Sequence, residues 1–312
     1  MNTETAELQS AAVPAAALTH GSTRATLVTL LRREFWEHPA LWRVPLIVAS
    51  LLALTTVFSV RLGIDVNDSH LSEVDESARV MLLNVSQELW AILIYLVAGI
   101  VITLYVLDCL YAERKDRSIL FWRSLPVSDG LTVLAKFLVA TAVVPLGVFV
   151  LATASHLLAL AIWKLRVAAG GAPDVIAWDT LAWMRGELVI FLCLILSSLW
   201  YAPLIAAAIL LSAWAKRSPL LWATLPLVLL PIFEYIVFRT GYIWSFIRYR
   251  EYGIWYVLTT RHGRPIIDEH ARLLNDLNWS AAFTNVNLWL GVLAAAALLY
   301  AAARIRRYRD DT

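Results

Sequence analysis

Long apolar runs separated by short polar segments make up most of this chain. Six of the runs are long enough for an α-helix to cross a hydrocarbon core about 30 Å thick, which takes about 17 to 25 residues. The six predicted spans are Val44–Val60, Leu89–Leu107, Phe137–Trp163, Leu188–Trp214, Pro219–Phe238 and Leu288–Ala303. The last span is short, and the basic stem after it can lengthen it because long basic side chains reach back to the interface. The pattern therefore predicts an all-α, polytopic integral membrane protein with six transmembrane helices.

The segment before the first span, residues 24–42, has the pattern of an amphipathic helix. Helical spacing gathers its apolar residues on one face and its polar residues on the opposite face, with Glu34 at the boundary. The apolar face consists of Leu27, Val28, Leu31 and Phe35, and the polar face of Thr29, Arg32, Arg33 and Glu37. We expect this helix to lie in the membrane interface. An amphipathic helix in a soluble cap has the same pattern and stays open as an alternative.

The remaining parts of the chain follow from these elements. Residues 1–23 are rich in Ala, Thr and Ser, and we expect a disordered cytoplasmic tail there. Residues 43–312 form the predicted six-span domain. Its inner coupling loop covers residues 108–136, and its long outer loop covers residues 239–287.

The composition supports a membrane protein. Hydrophobic residues are 60% of the 312 residues and charged residues 16%, against about 45 to 50% and about 25% in soluble domains. These values exclude a soluble globule and a disordered chain. The two cysteines, Cys109 and Cys193, lie in or beside apolar runs, where a cysteine is usually a small buried hydrophobe. A net charge of +2 provides no basic surface for nucleic acid.

The distribution of basic residues predicts the orientation of the chain. With the N-terminus inside, 15 of the 26 Lys and Arg residues lie in the inner segments, and the rest are spread over longer outer loops. Basic residues are enriched on the cytoplasmic side of membrane proteins. We therefore expect both termini in the cytoplasm, and a bacterial inner (plasma) membrane as the location.

The sequence contains no enzyme motif that we could identify. It has no GxxxxGK[ST], HExxH, GxSxG or CxxC pattern. We therefore expect that the chain itself is not an enzyme, with no catalytic residue, no metal site and no cofactor of its own.

The inner loop between the second and third predicted spans has the most informative pattern. A cluster of charge at 113–117 is followed by Ser118, by four large apolar residues at 119–122, by Arg123 and by Pro126. Ser118 can cap a short helix and Pro126 can end it. From the residues alone, the apolar stretch either sits among lipid headgroups or fills a groove on a soluble partner. Both interpretations stay open at this point.

A resemblance to a known family adds to this reading. Residues 113–129, with the sequence ERKDRSILFWRSLPVSD, and Lys136 at the start of the next span resemble the signature loop of permease subunits of type-2 ATP-binding-cassette (ABC) exporters. Residues 225–234 and 287–310 are similar to further segments of that family. The six spans, the N-terminal interfacial helix and the long outer loop extend the likeness over nearly the whole chain. The inner segment 215–218 is short for a second docking element of that family.

The resemblance implies a division of labour between subunits. Residues 118–124 would form a coupling helix in a cleft of a separate ATP-binding subunit, which would bind ATP and Mg and hydrolyse the ATP. Two permease chains would pair about a two-fold axis, as a homodimer or with a similar chain, with the second and fifth spans facing each other across the substrate path. The implied ATPase-coupling residues are Glu113, Arg114, Ser118, Ile119, Leu120, Phe121, Trp122 and Arg123.

Glu234 is a carboxylate inside the fifth predicted span. A charge in hydrocarbon costs about 2.5 to 3.5 kcal/mol, so this side chain should face protein or water. It could line the substrate path together with Tyr235. It could instead form a structural ion pair with Arg239 or Arg248, and the sequence gives both roles equal weight.

Aromatic residues supply the other candidates for the path and its outer closure. Tyr95 and Tyr105 on the second span are candidates for the path, although tyrosines in such positions more often pack or lie at the interface. The outer loop begins with seven aromatic residues over 242–256. In the resembled family, short re-entrant or interfacial helices here close the path, whereas an aromatic belt explains the same composition without gating. We expect the first half of the loop at the membrane and residues 261–276 in solvent.

The sequence therefore predicts the permease subunit of an ABC exporter, which forms the substrate path and couples it to a separate ATPase. It would move an amphipathic or hydrophobic compound outward by alternating access. The alternative is an ATP-independent secondary transporter or channel. That alternative predicts more ionisable residues at mid-membrane than Glu234 alone.

Overall fold

The computed structural model describes residues 23–58, 76–116, 127–170, 178–261, 264–265 and 277–308. Its helices are α1 Thr23–Glu37, α2 Ala40–Phe58, α3 Glu76–Lys115, α4 Asp129–Leu138, α5 Val144–Ala168, α6 Thr180–Trp214, α7 Pro219–Phe238, α8 Tyr242–Thr259, α9 Trp279–Phe283 and α10 Val286–Tyr308. A two-residue antiparallel pair joins β1, Thr260–Arg261, to β2, Arg264–Pro265. The described part of the chain is thus almost entirely helical, which confirms the all-α prediction.

Five segments of the described chain are long and apolar enough to cross a membrane, and there are six if α1 and α2 together count as one bent span. Each of the five contains one of the predicted spans from the second to the sixth. The helices extend beyond the apolar runs, because charged and polar residues at their ends continue the helical turns. The first predicted span corresponds to α2, which makes an angle of 61° with α1.

The third span contains an internal irregularity. A π-helical stretch, Val139–Val143, joins α4 to α5, and the N–H of Val144 donates to the carbonyl of Val139. Pro145 follows directly. A proline ring collides with the carbonyl four residues earlier in a regular helix, and a wider turn avoids this collision. The helix continues to Ala168 as one long segment.

The main core lies between α3, α6 and α10, with α2, α4 and α5 packed around it. Small side chains such as Ala98, Ala140 and Ala302 are almost fully buried there and let the helix backbones approach closely. Cys109 is also buried in this core, in agreement with its predicted role as a small hydrophobe. Helix α7 lies outside it, since Pro219 and Glu234 are its only buried residues.

The structure corrects the predicted faces of α1. The residues it buries are Leu30 and Glu34, while Val28, predicted on the apolar face, is 63% exposed. Leu31 and Phe35 are partly buried against the main core, as expected of apolar-face residues. Glu34 is buried because positively charged and hydroxyl groups of other helices meet it, as described below.

Candidate functional site

Six charged residues from four helices meet where α3 ends and α4 begins. We call them the ionic cluster: Arg33 and Glu34 of α1, Glu113 of α3, Asp129 and Lys136 of α4, and Arg306 of α10. Ser128 fixes the start of α4 by accepting a hydrogen bond from the Leu131 N–H at 3.2 Å. This cap places Asp129 in the first turn and Lys136 two turns later.

Lys136 is the centre of the ionic cluster. Its side chain is fully buried, and Nζ lies 2.9 and 3.0 Å from the two carboxylate oxygens of Glu34 and 3.0 Å from Oε1 of Glu113. A buried ammonium group is stable only when it is paired and hydrogen-bonded. Lys136 therefore ties α1 and α3 to the start of the third span.

Arg306 binds the residues on both sides of segment 117–126. Its Nη1 donates to Oδ1 of Asp129 and its Nη2 to Oε2 of Glu113, each at 2.9 Å. Glu113 precedes the segment and Asp129 follows it. One guanidinium near the end of α10 therefore fixes both ends of this connection.

Arg33 and Tyr105 make the remaining contacts between α1 and α3 at this site. Arg33 donates from Nη2 to Glu113 at 2.9 Å and also pairs with Glu37. Tyr105, a candidate for the substrate path, is buried and donates its hydroxyl to Oε2 of Glu34 at 2.8 Å. The structure thus brings Tyr105 and Glu113 together through Glu34 and Lys136.

Arg114 makes a second connection at the same end of the bundle. Its Nη2 donates to the carbonyls of Ser212 and Ala215, at 2.7 and 2.8 Å. These carbonyls lie at the C-terminal end of α6, where a helix leaves acceptors without intrahelical partners. The hydroxyl of Ser212 in turn accepts from the backbone N–H groups of Leu110 and Tyr111.

The predicted coupling residues fall into two groups. Glu113 and Arg114 take part in the internal contacts just described, and Glu113 is buried. The other six, Ser118, Ile119, Leu120, Phe121, Trp122 and Arg123, lie outside the residues that the structure describes. Their predicted contact with an ATP-binding subunit stays a prediction.

A group with metal-binding potential adjoins the ionic cluster. Ligand atoms of Glu34, Glu37 and His38 lie within 4.8 Å of one another. The carboxylate of Glu34 is already bound by Lys136 and Tyr105, and that of Glu37 by Arg33. These contacts favour an ion-paired structural role for the carboxylates over metal binding.

Glu234 lies at the far end of α7 and holds the start of α8. One carboxylate oxygen accepts from the Tyr242 N–H at 2.7 Å and from the Thr240 hydroxyl at 2.8 Å, and the other accepts from the Ile243 N–H at 2.7 Å. Among the described residues no arginine lies within ion-pair distance of it, so the ion pair with Arg239 or Arg248, one of the two roles left open by the sequence, is not formed. The N–H groups of a first helical turn have no partner within the helix and carry partial positive charge, which suits a carboxylate.

Helix α8 is held by α6 as well. Trp200 and Tyr201 of α6 donate to the carbonyls of Arg250 and Glu251, at 2.7 and 2.8 Å. The guanidinium of Arg250 stacks 4.4 Å from the Trp200 ring centre, and burial lowers the pKa of Arg250 below the usual arginine value. A Cβ atom at Gly291 of α10 would clash with Nη2 of Arg250, so this glycine makes room for the arginine.

The other predicted path residues lie apart. Tyr235 is 61% exposed on α7. Tyr95 is partly buried on α3, and its hydroxyl has no hydrogen-bond partner within the described part of the chain. Nearby, Thr153 of α5 donates to Glu187 of α6 at 2.6 Å, and both line a small cavity with His156.

Sequence reasoning missed several of these residues. The sequence placed Lys136 at the start of the third span and Glu34 at the boundary of the amphipathic face, but it did not predict that the two would meet. Asp129 and Arg306 carried no such signal, since each lies at a helix end where charge is ordinary. Glu187 lies one residue before the predicted span Leu188–Trp214, so the apolar pattern did not include it.

Comparison with known proteins gives no assignment. No protein-family model matches the chain, and neither a curated protein nor a solved structure is significantly similar to it. The resemblance seen in the sequence therefore depends on its motifs alone.

Proposed function

We propose that this chain is the membrane-spanning permease subunit of a type-2 ABC exporter, present as a homodimer or with a similar chain. Its segment 118–124 docks on a separate ATP-binding subunit, and the helices around it carry the resulting movement into the bundle. The exported compound is amphipathic or hydrophobic. The chain supplies the path, and the partner supplies the ATP hydrolysis.

The observation that supports this proposal best is the position of the ionic cluster. Arg306 binds Glu113 and Asp129, which flank segment 117–126, and Lys136 connects the same site to α1. Removing charges from water is costly, and apolar residues would often stabilise such a site as well or better. The ionic cluster therefore needs a role other than stability. Charged side chains that hold several helices to both ends of the docking segment would transmit movement from a docked partner to those helices.

The direct test replaces the apolar residues of the predicted docking segment. Phe121→Ala together with Trp122→Ala should weaken co-purification with a co-expressed ATP-binding subunit, or separate ATP hydrolysis from transport, since few apolar anchors dominate such contacts. The matched control is Trp244→Ala with Phe246→Ala, two exposed aromatic residues of α8. Lower membrane abundance of the docking variant with the ATPase still attached would contradict the proposal.

One observation favours the second candidate, an ATP-independent secondary transporter or channel. Glu187, Thr153 and His156 line a small cavity between helices that are apolar enough to span the membrane. Ionisable groups within membrane-spanning helices often mark ion or proton pathways. Transport in vesicles driven by an ion gradient without any ATPase, and lost in Glu187→Gln, would support this candidate. Transport that requires ATP and persists in Glu187→Gln would support the exporter.

A further inference from the structure

Helix α1 has two faces with different chemistry. Leu30 and Glu34 are buried on one face, and Glu34 belongs to the ionic cluster. The opposite face consists of exposed residues at intervals of four: Arg24, Val28, Arg32 and Trp36. Residues at this spacing lie one above the other along a helix. The exposed stripe is therefore continuous over the length of α1.

The exposed stripe is both basic and apolar. Trp36 is 75% and Val28 63% exposed, so two large apolar side chains have little protein cover. Arg24 and Arg32 alternate with them, and neither lies within 4.0 Å of a carboxylate in the described part of the chain. The pattern continues past the bend, where Arg43 stacks 5.2 Å from the ring centre of Trp42.

We infer that this stripe binds the anionic phospholipid headgroups of the bilayer surface. Tryptophan suits the boundary between headgroups and acyl chains, and an arginine guanidinium matches the geometry of a phosphate group. The third arginine of α1, Arg33, is occupied by Glu37 and Glu113 and takes no part. The selected lipid is thus one with net negative charge, such as phosphatidylglycerol, in preference to zwitterionic phosphatidylcholine.

Lipid binding by the stripe also bears on the ionic cluster. The stripe and Glu34 lie on opposite faces of the same helix, and Glu34 is bound to Lys136. Anionic headgroups that hold α1 against the bilayer therefore stabilise the end of the bundle where α3 ends and α4 begins. This inference does not depend on the proposed function, since it requires neither an ATPase nor a transported compound.

The experiment uses the full chain in nanodiscs of phosphatidylcholine that contain either brominated phosphatidylglycerol or brominated phosphatidylcholine at equal molar fraction. Bromine quenches nearby tryptophan fluorescence, and the contribution of Trp36 is the difference between the wild type and Trp36→Phe. We expect stronger Trp36 quenching by the brominated anionic lipid. A basic residue near an anionic surface is worth about fivefold in binding, so Arg24→Gln with Arg32→Gln should lower the preference by up to about 25-fold, towards equal quenching by the two lipids.

Two control variants distinguish the loss of positive charge on the stripe from a general effect of the substitutions on the fold. Arg24→Lys with Arg32→Lys should keep most of the preference, and Arg185→Gln, which removes an exposed arginine of α6, should leave it unchanged. Melting temperature is the second measurement: the anionic lipid should raise it in the wild type and not in the double Gln variant. Equal quenching of Trp36 by both lipids, or an unchanged preference in the double Gln variant, would overturn the inference.

Discussion

Arg306 and Glu113 are joined by a 2.9 Å hydrogen bond between Nη2 and Oε2, although 193 positions separate them along the chain. The same guanidinium reaches Asp129 through Nη1. The last helix of the chain thus fixes the connection between the second and third predicted spans. A substitution of Arg306 should therefore alter the structure around Glu113 and Asp129, which are remote from it in sequence.

Replacing Arg306 should destabilise the protein strongly. Removing one partner of a buried ion pair costs about 3 to 5 kcal/mol when the other charge is left uncompensated. In Arg306→Leu, Glu113 keeps Arg33 and Lys136 and Asp129 is partly exposed, so we expect a loss near the lower end of this range. The free energy of unfolding in detergent measures the loss. The control is Arg304→Leu on the exposed side of the same helix, which should change it by less than about 0.5 kcal/mol. Equal effects of the two changes would contradict the role given to Arg306.

The contact between Lys136 and Glu34 should show strong coupling. Lys136→Met and Glu34→Leu each leave a charged partner in a buried site, whereas the double variant replaces both charges by apolar groups. We expect the double variant to lose at least about 1 kcal/mol less than the sum of the single losses, as residues in direct contact do. Additive losses in this double-mutant cycle would show that the two side chains act independently.

Glu234 should act through the position of α8. Glu234→Ala removes the acceptor for the Tyr242 and Ile243 N–H groups, so hydrogen exchange at these two amides should become faster. Glu234→Gln keeps one carbonyl acceptor and should have the smaller effect. Tyr235→Phe, at the exposed neighbouring position, is the control and should leave both amides unchanged. Unaltered exchange in Glu234→Ala would show that α8 is held by its contacts with α6 alone.

Gly291 should tolerate no larger residue while Arg250 keeps its position. Gly291→Ala places a methyl group where Nη2 of Arg250 lies, and the guanidinium must leave the Trp200 ring. Overpacking of a well-packed core costs about 1 to 3 kcal/mol, and we expect a loss near the lower end of this range because the clashing atom is the far end of a flexible arginine side chain. In the Arg250→Ala background the clash is gone, and Gly291→Ala should be neutral or stabilising by up to about 1 kcal/mol, since Ala is favoured over Gly in a helix interior. Thermal melting of the four proteins in the cycle measures the effect.

The predicted orientation is tested by labelling of single cysteines in intact cells. With Cys109 and Cys193 replaced by Ala, a cysteine at Asp116 or Thr312 should resist a thiol reagent that cannot cross the membrane, and one at Ser69 should react. Asp116 is exposed at the end of α3, so resistance there would report its side of the membrane and not burial. Labelling of Thr312 from outside would reject the six-span topology with both termini in the cytoplasm.

Hydrophobic periodicity predicted much of the fold because span length and apolarity are local properties. The fifth predicted span, Pro219–Phe238, has the same bounds as α7, since Pro219 begins the helix and Arg239, with φ of 53°, ends it. The other helices run past their apolar cores. Polar residues there continue the helix for reasons of capping and packing, which a hydropathy pattern does not contain.

The ionic cluster could not be predicted from the sequence. Its six residues come from four separate helices, and each has an ordinary local context, at a helix end or on an amphipathic face. Glu234 shows the same limitation. The cost of a charge in an apolar span predicted that its side chain would face protein or water. Its partners could not be predicted, because they are backbone N–H groups whose position depends on the turn at residues 239–241.

The hydrogen bonds of Glu234 have a consequence for movement at this end of the protein. They clamp the corner between α7 and α8, and Arg239 in a left-handed conformation fixes the angle of that corner. We therefore expect the two helices to move together rather than to bend at this corner. Because α6 also holds α8 through Trp200 and Tyr201, a displacement of α8 would pull on α6 as well as on α7. The corner thus links the position of α7 to that of α6.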